Sequence, residues 1–133
     1  MAIVGTGVDV AEVARVRAAL EEPTTGARFK ARVFTAGEQR DCEARGAGRF
    51  QSYAARFAAK EAVMKALGLG WGRHIGWLDV EVVRAEDGRP TLRLHGKGAA
   101  AAGAAGVARF HLALSHTREV AVAQAIAEGD PVA

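Results

Sequence analysis

The chain has 133 residues, half of them hydrophobic, a quarter charged and 6% aromatic. That composition fits one folded domain over residues 1–133 and excludes a wholly disordered chain. Lys and Arg number 18 against 15 acidic residues, and the net charge of +3 favours acidic partners without singling out nucleic acid. Alanine supplies much of the apolar share and buries little area per residue, so association with other chains is a natural route to added stability. The single cysteine, Cys42, excludes an internal disulfide and a cysteine-based zinc cluster, and suits a reducing cytoplasm. The first residues lack the basic start and long apolar run of a secretion signal, and the Ala/Gly stretch at 98–107 is too short and weakly apolar to span a bilayer. The expectation is a cytoplasmic protein with neither membrane nor nucleic acid as partner.

Residues 3–10 are valine-rich with two glycines, which predicts a short buried strand. Helix formers over 11–20 predict a helix that Pro23 stops, and a short helix is expected over 27–33. Thr35 and Glu38 have the spacing of a capping box, so a helix should start there and run to about Arg45, ahead of Gly46 and Gly48. The strongest helix signal covers 50–67, with Gly68 as its C-cap. Residues 77–84 alternate as a strand with Leu78, Val80 and Val82 on one side; 86–90 is turn chemistry, and 91–95 is the partner strand. The alanine run at 98–105 reads as a helix. Residues 110–116 and 120–126 alternate as strands about a polar turn at Thr117, Arg118 and Glu119. These elements make an α+β fold, a long helix packed on antiparallel strands.

Glu61 is the most informative residue. At helical period, Phe50, Tyr53, Ala54, Phe57 and Met64 form an apolar stripe with Glu61 near its centre. A carboxylate there must snorkel, pair, be neutralised or bind a cation. An ion pair with Lys65 at i+4 and a ligand role fit the pattern equally. Asp9 interrupts Val8-Asp9-Val10 at a strand end, and reads either as the N-cap of the helix from Ala11 or as a functional carboxylate. Two such oxygen ligands on separate elements could hold Mg²⁺. Arg56, Lys60 and Lys65 flank Glu61; such a charge run is by default a solvated face, but around a bound cation it suits a phosphate polyanion. Gly5-Thr6-Gly7 and the run Gly68, Gly70, Gly72 match no phosphate-loop or dinucleotide fingerprint, and are read as glycines required by backbone geometry. Ser115 and His116 adjoin on a strand and so face opposite sides, which disfavours a hydrolytic triad.

Taken in order, Gly5-Thr-Gly-Val-Asp9 with Glu12 and Arg15, Arg32-Val-Phe-Thr35, Arg56-Phe-Ala-Ala-Lys60-Glu61 through Lys65 and Gly68, Gly88-Arg-Pro90, Leu94-His-Gly96 and Leu114-Ser-His-Thr117 form a series. It resembles the small bacterial phosphopantetheinyl transferases, the holo-acyl-carrier-protein synthase family, over about residues 3–127. The resemblance implies transfer of the phosphopantetheine arm of coenzyme A to a serine of an apo acyl carrier protein, with adenosine bisphosphate leaving. It implies Asp9 and Glu61 as Mg²⁺ ligands, these two and Lys65 as the catalytic set, and Lys60 and Lys65 among the phosphate-binding cations. Arg56 and Phe57 match positions beside the nucleotide, Gly88, Arg89 and Pro90 the turn lining the adenine pocket, and Ser115, His116 and Thr117 a phosphate-contacting strand end. Arg15 matches a basic position facing the acidic carrier. The expected proton acceptor for the serine is Glu61 or a metal-bound water. The resemblance also implies a homotrimer with active sites between subunits. Leu69 departs from the family's usual Gly-Thr-Gly after the metal helix, so no hydroxyl contact is implied there. The alternative reading is a non-catalytic coenzyme A or nucleotide module that docks an acidic partner; the retained pair Asp9 and Glu61 argues against it. A nucleic-acid role rests on charge alone, since the basic residues lie among acidic ones without aromatic interleaving.

Overall fold

The computed structural model describes residues 2–70 and 74–130. Strand β1 (Ala2–Glu12) runs directly into α1 (Val13–Glu21), followed by α2 (Gly26–Val33), α3 (Ala36–Glu43) and the long α4 (Arg49–Leu67). A 3₁₀ turn at Trp77–Asp79 precedes the hairpin of β2 (Val80–Arg84) and β3 (Pro90–Leu94); α5 (Gly96–Ala104) then leads to β4 (Arg109–His116) and β5 (Val120–Gly129). The strands form an antiparallel sheet in the order β1-β5-β4 and a separate β2-β3 ribbon, and α4 packs on both β1 and β5. This is the expected α+β architecture. Among the described residues no helix is long and apolar enough to cross a membrane.

Local chemistry sets the element ends. The Thr35 hydroxyl accepts from the Glu38 backbone N–H and the Glu38 carboxylate accepts from the Thr35 N–H, so the capping box starts α3 as its spacing predicts. Gly68 closes α4 with φ of 69°, the left-handed cap that a side chain would disfavour. Several boundaries differ from expectation: β5 runs on to Gly129 and α5 starts at Gly96, and the differences at β1 and at 77–79 matter most for the site. Strand β1 continues past Val10 because β5 supplies partners as far as Glu12↔Val120. Helix α1 therefore begins at Val13, and Asp9 is no helix cap: it lies within the β1 ladder opposite Ala123. At 77–79 the Asp79 carboxylate accepts from the Gly76 N–H at 2.7 Å and winds the chain into a turn, which leaves Leu78 43% exposed and starts the strand at Val80.

The interface between α4 and the sheet is unusually tight. Along β1 the inward positions are Gly5, Gly7, Asp9 and Ala11, in register with Ala127, Ala125, Ala123 and Ala121 of β5. Those four β5 alanines are fully buried, as are Ala54, Ala58, Ala59 and Ala62 on the helix. A Cβ built on Gly7 would stand 1.9 Å from the Ala62 carbonyl oxygen, and one on Gly5 2.0 Å from that of Ala66. Both glycines are thus present because helix backbone lies against strand backbone, not because a phosphate loop passes there. Gly72, at the end of the second glycine run, lies outside the described residues.

The opposite face of the sheet carries a patch of aliphatic side chains that is uncovered in one chain. Val8 and Val10 project from β1 at 56% and 59% exposure, beside the half-buried Val122 and Ile126 of β5.

Gly7→Ala should lower unfolding free energy on the order of 3 kcal/mol in a denaturant titration, because backbone must move to admit one methyl. Gly103→Ala, which meets open space on α5, should leave stability unchanged or raise it by up to about 1 kcal/mol. Equal stability of the two variants would remove the close-approach account.

Candidate active site

The strand alternation that lays Gly5 and Gly7 on the helix makes Asp9 the next inward residue, where α4 presents Glu61 and, one turn later, Lys65. Lys65 Nζ donates to Asp9 Oδ1 at 2.8 Å and to the Val8 carbonyl at 3.1 Å. The hydrogen bond to Asp9 and its charge, with a smaller attraction from Glu61, raise the Lys65 pKa and keep it an ammonium ion. The lysine's bridge therefore crosses to β1 instead of running along the helix to Glu61. Side-chain exposure is 54% at Lys65 and 18% at Asp9, so this corner opens to solvent.

Asp9 and the Val8 carbonyl meet at the Lys65 ammonium, and Glu61, one turn before it on α4, lies within the electrostatic reach of that ammonium, so oxygen donors surround this corner. Among the described residues no three His, Cys, Asp or Glu side chains gather to form a closed metal cage. Two carboxylates, with the other positions left to water and substrate oxygens, are what a hard, octahedral cation such as Mg²⁺ accepts; a soft or imidazole-seeking metal would want other donors. One turn before Glu61, Phe57 stacks on Trp77 at 5.0 Å between ring centroids. Phe57 also lines, with Arg15, Val16 and Phe29, a cavity of about 290 Å³ between β1 and the first helices. The structure thus pairs Phe57 with Arg15, the expected carrier-facing cation.

A second cavity, of about 460 Å³, opens on another face of α4 and is lined by Arg45, Ser52, Arg56, Arg84, Pro90 and His116. Arg56 is only 1% exposed. Its Nη1 donates to Ser52 Oγ at 2.6 Å and its Nη2 lies 3.8 Å from an Asp41 oxygen, yet among the described residues Nε and Nη2 have no hydrogen-bond acceptor. Burial lowers the Arg84 pKa, and repulsion from Arg45 and Arg56 adds to it. Three guanidinium groups converging on one cavity, one with buried donors unmatched, make a site for an anion with several oxygens.

Of the residues expected beside the nucleotide, this cavity gathers Arg56, Pro90 and His116. Gly88, at φ of 88°, builds the turn that delivers Pro90, and its carbonyl accepts from Arg84 at 2.8 Å. Arg89 points away, 79% exposed and paired with Asp87. Ser115 shares the outer sheet face with its partner Val122, opposite to His116. Thr117 uses its hydroxyl to accept the N–H groups of Glu119 and Val120 and holds the β4–β5 turn. Sequence reasoning missed Arg45 and Arg84. Each sits at the end of a different element, and no spacing rule joins them; an unexplained arginine at a strand end beside turn chemistry was the one available signal for Arg84.

Lys60 is the clear correction. The expectation of a phosphate-binding lysine on a solvated face fails, since Lys60 is fully buried. Its ammonium donates to Glu38 Oε1 at 2.8 Å and to the carbonyls of Trp77 and Val80. Burial lowers the Lys60 pKa while the Glu38 carboxylate pulls it back up. Glu38, equally buried, also accepts the Thr35 and Val82 N–H groups. All three lysine donors are spent inside the protein, so Lys60 ties α3, α4 and β2 together and offers nothing to a ligand.

One helix thus carries a carboxylate corner whose donors suit a hard cation and an arginine-lined pocket whose donors suit an anion. Residues 5–124 match the ACPS group of the 4′-phosphopantetheinyl transferase superfamily, and the chain belongs to that family. It is 52% identical over 128 residues to a holo-[acyl-carrier-protein] synthase of Anaeromyxobacter sp. (strain K), covering 96% of this chain and 97% of that one. It is 47% identical to the synthase of the same name from Solibacter usitatus (strain Ellin6076), over 95% and 98% of the two chains. The crystal structure of a holo-(acyl-carrier-protein) synthase from Bacillus anthracis in complex with CoA (3′,5′-ADP) superposes with a TM-score of 0.78 at 33% identity, over 96% and 98% of the chains. The protein is an enzyme, a phosphopantetheinyl transferase, and the reading as a non-catalytic module falls.

Lys60→Met should cost about 3 kcal/mol of stability, because it leaves the Glu38 charge buried without its partner. The double variant with Glu38→Gln should lose less than the sum of the two single losses in denaturant unfolding. Additive losses would show that the pair is not coupled.

Proposed function

We infer that this chain moves the phosphopantetheine arm of coenzyme A to a serine hydroxyl of an apo acyl carrier protein. The serine oxygen bonds to the pantetheine-side phosphorus, the pyrophosphate bridge breaks, adenosine bisphosphate leaves, and the serine proton passes to a base. The observation that carries this reading is the pair of sites on α4: carboxylates with a lysine on one side, buried guanidinium donors on another. Arg45, Arg56, Arg84 and His116 suit the nucleotide's phosphate, and Pro90 offers a flat apolar surface for adenine. Asp9 and Glu61 would hold Mg²⁺, which neutralises pyrophosphate charge when bound. Lys65 binds a pyrophosphate oxygen, and Glu61 accepts the serine proton. Arg15, exposed on α1 at the rim of the Phe57 cavity, faces the acidic carrier.

The two sites fall to different copies of the chain. Arg56 and Glu61 are five positions apart, about 140° around the helix axis, so one helix does not aim both at one ligand. The uncovered Val8, Val10, Val122 and Ile126 face supplies a surface on which a second copy can seat. A homotrimer in the cytoplasm, with each site built between neighbours, satisfies both requirements.

The deciding experiment incubates the protein with coenzyme A, Mg²⁺ and several apo carriers and weighs each carrier by mass spectrometry; unmodified carriers throughout would refute the transferase reading. Glu61→Gln should abolish modification while circular dichroism and melting stay near those of the parent. Arg84→Ala should raise KM for coenzyme A about tenfold, the loss of one charge-assisted contact, and leave the carrier's KM alone. Val10→Asp should shift the light-scattering mass from trimer to monomer and take activity with it; a trimer that persists would place the interface elsewhere.

A further inference from the structure

Lys65 occupies the place where the carboxylates would receive a metal. Its ammonium takes Asp9 Oδ1 at 2.8 Å and the Val8 carbonyl at 3.1 Å, within the electrostatic reach of Glu61. These are the same oxygens that make the corner fit a hard cation. An ammonium at hydrogen-bond distance and a divalent ion on the same carboxylate oxygen repel each other strongly in a partly buried corner. For a metal to take Asp9 the lysine must move, and it can do so without unfolding anything: it sits on a flexible four-carbon stem, half exposed, on the last turn of α4.

We propose that Lys65 is a resident cation which competes with the metal for Asp9 and is released to the substrate's pyrophosphate as the site loads. The proposal rests on the reading of Asp9 and Glu61 as metal ligands. Its consequence is coupling. Metal alone must break the Lys65–Asp9 bridge and strand an ammonium, so it binds weakly. Coenzyme A gives the displaced ammonium a new anionic partner, so each ligand strengthens the other by the same factor.

The test measures binding of Mn²⁺ alone to the nucleotide-free protein, by calorimetry and by loss of the free-ion electron paramagnetic resonance signal. Lys65→Met should bind Mn²⁺ about tenfold more tightly than the parent, whereas Lys65→Arg, which keeps the charge, should stay near the parent value. Asp9→Asn should remove tight binding from the parent and from the Lys65→Met background alike. The ratio of Mn²⁺ affinities with and without coenzyme A should shrink in Lys65→Met. If Mn²⁺ binds through Asp9 but Lys65→Met leaves its affinity unchanged or weaker, the competition is overturned while the metal site stands. If Asp9→Asn has no effect on Mn²⁺ binding, the metal reading itself fails and the proposal with it.

Discussion

Contact between the backbone of α4 and the backbone of β1 is the constraint on which the molecule depends. It forces glycine at 5 and 7 and favours alanine at four successive inward positions of β5, because a larger residue would lift the helix off the sheet. Each alanine contributes little transfer free energy, but dense contact restores part of that in dispersion. The same contact sets the chemistry. Once Gly5 and Gly7 touch the helix, strand periodicity leaves Asp9 no choice but to face it, on Lys65. The alanine content that reads as a thin core is therefore the means by which two carboxylates from distant parts of the chain are held on one corner.

Two buried cations on α4 show how satisfaction separates structure from function. Lys60 has three acceptors for three donors, and Glu38 returns the charge and two further hydrogen bonds. A buried pair of this kind adds little net stability over an apolar replacement, but breaking it is costly, so it fixes how α3, α4 and β2 meet. Arg56 is as deeply placed and only half matched. A protein that buries guanidinium donors without acceptors carries a cost that a bound anion removes, and the pocket shared with Arg45 and Arg84 is where such an anion fits.

The helices, strands and capping chemistry were legible because they are local: the Thr35–Glu38 box, the Gly68 cap and the alternation of the last two strands each lie within a few residues. Asp9 and Glu61 could be singled out as carboxylates in apolar company, and the family resemblance joined them. What the pattern could not convey was depth. Helical periodicity placed Arg56 and Lys60 beside an apolar stripe, but α4 is covered on several sides at once, and a helix with a second and third buried face has no single solvated one. Depth depends on which elements pack there, and β2, β3 and β4 lie 20 or more residues away in the chain. The same distance hid the arginine pocket, whose members come from five separate segments.

The placement of charge is also what motivates the proposed association of copies. The carboxylate corner faces β1 and the first helices, the guanidinium pocket faces the β2–β3 ribbon and the end of β4, and α4 stands between them. A ligand with a pyrophosphate and a second phosphate spans both chemistries, yet a central helix shields one from the other within a single protomer. Deepening a cleft to reach both would require a larger core than an alanine interface can build. Under the proposed function, repeating the chain about an axis through the uncovered valine face would solve this without new sequence: it would bury Val8 and Val10 and could bring one copy's arginines toward the next copy's carboxylates. On that reading the exposed valines and the divided site are one feature, the surface by which separate halves become a whole.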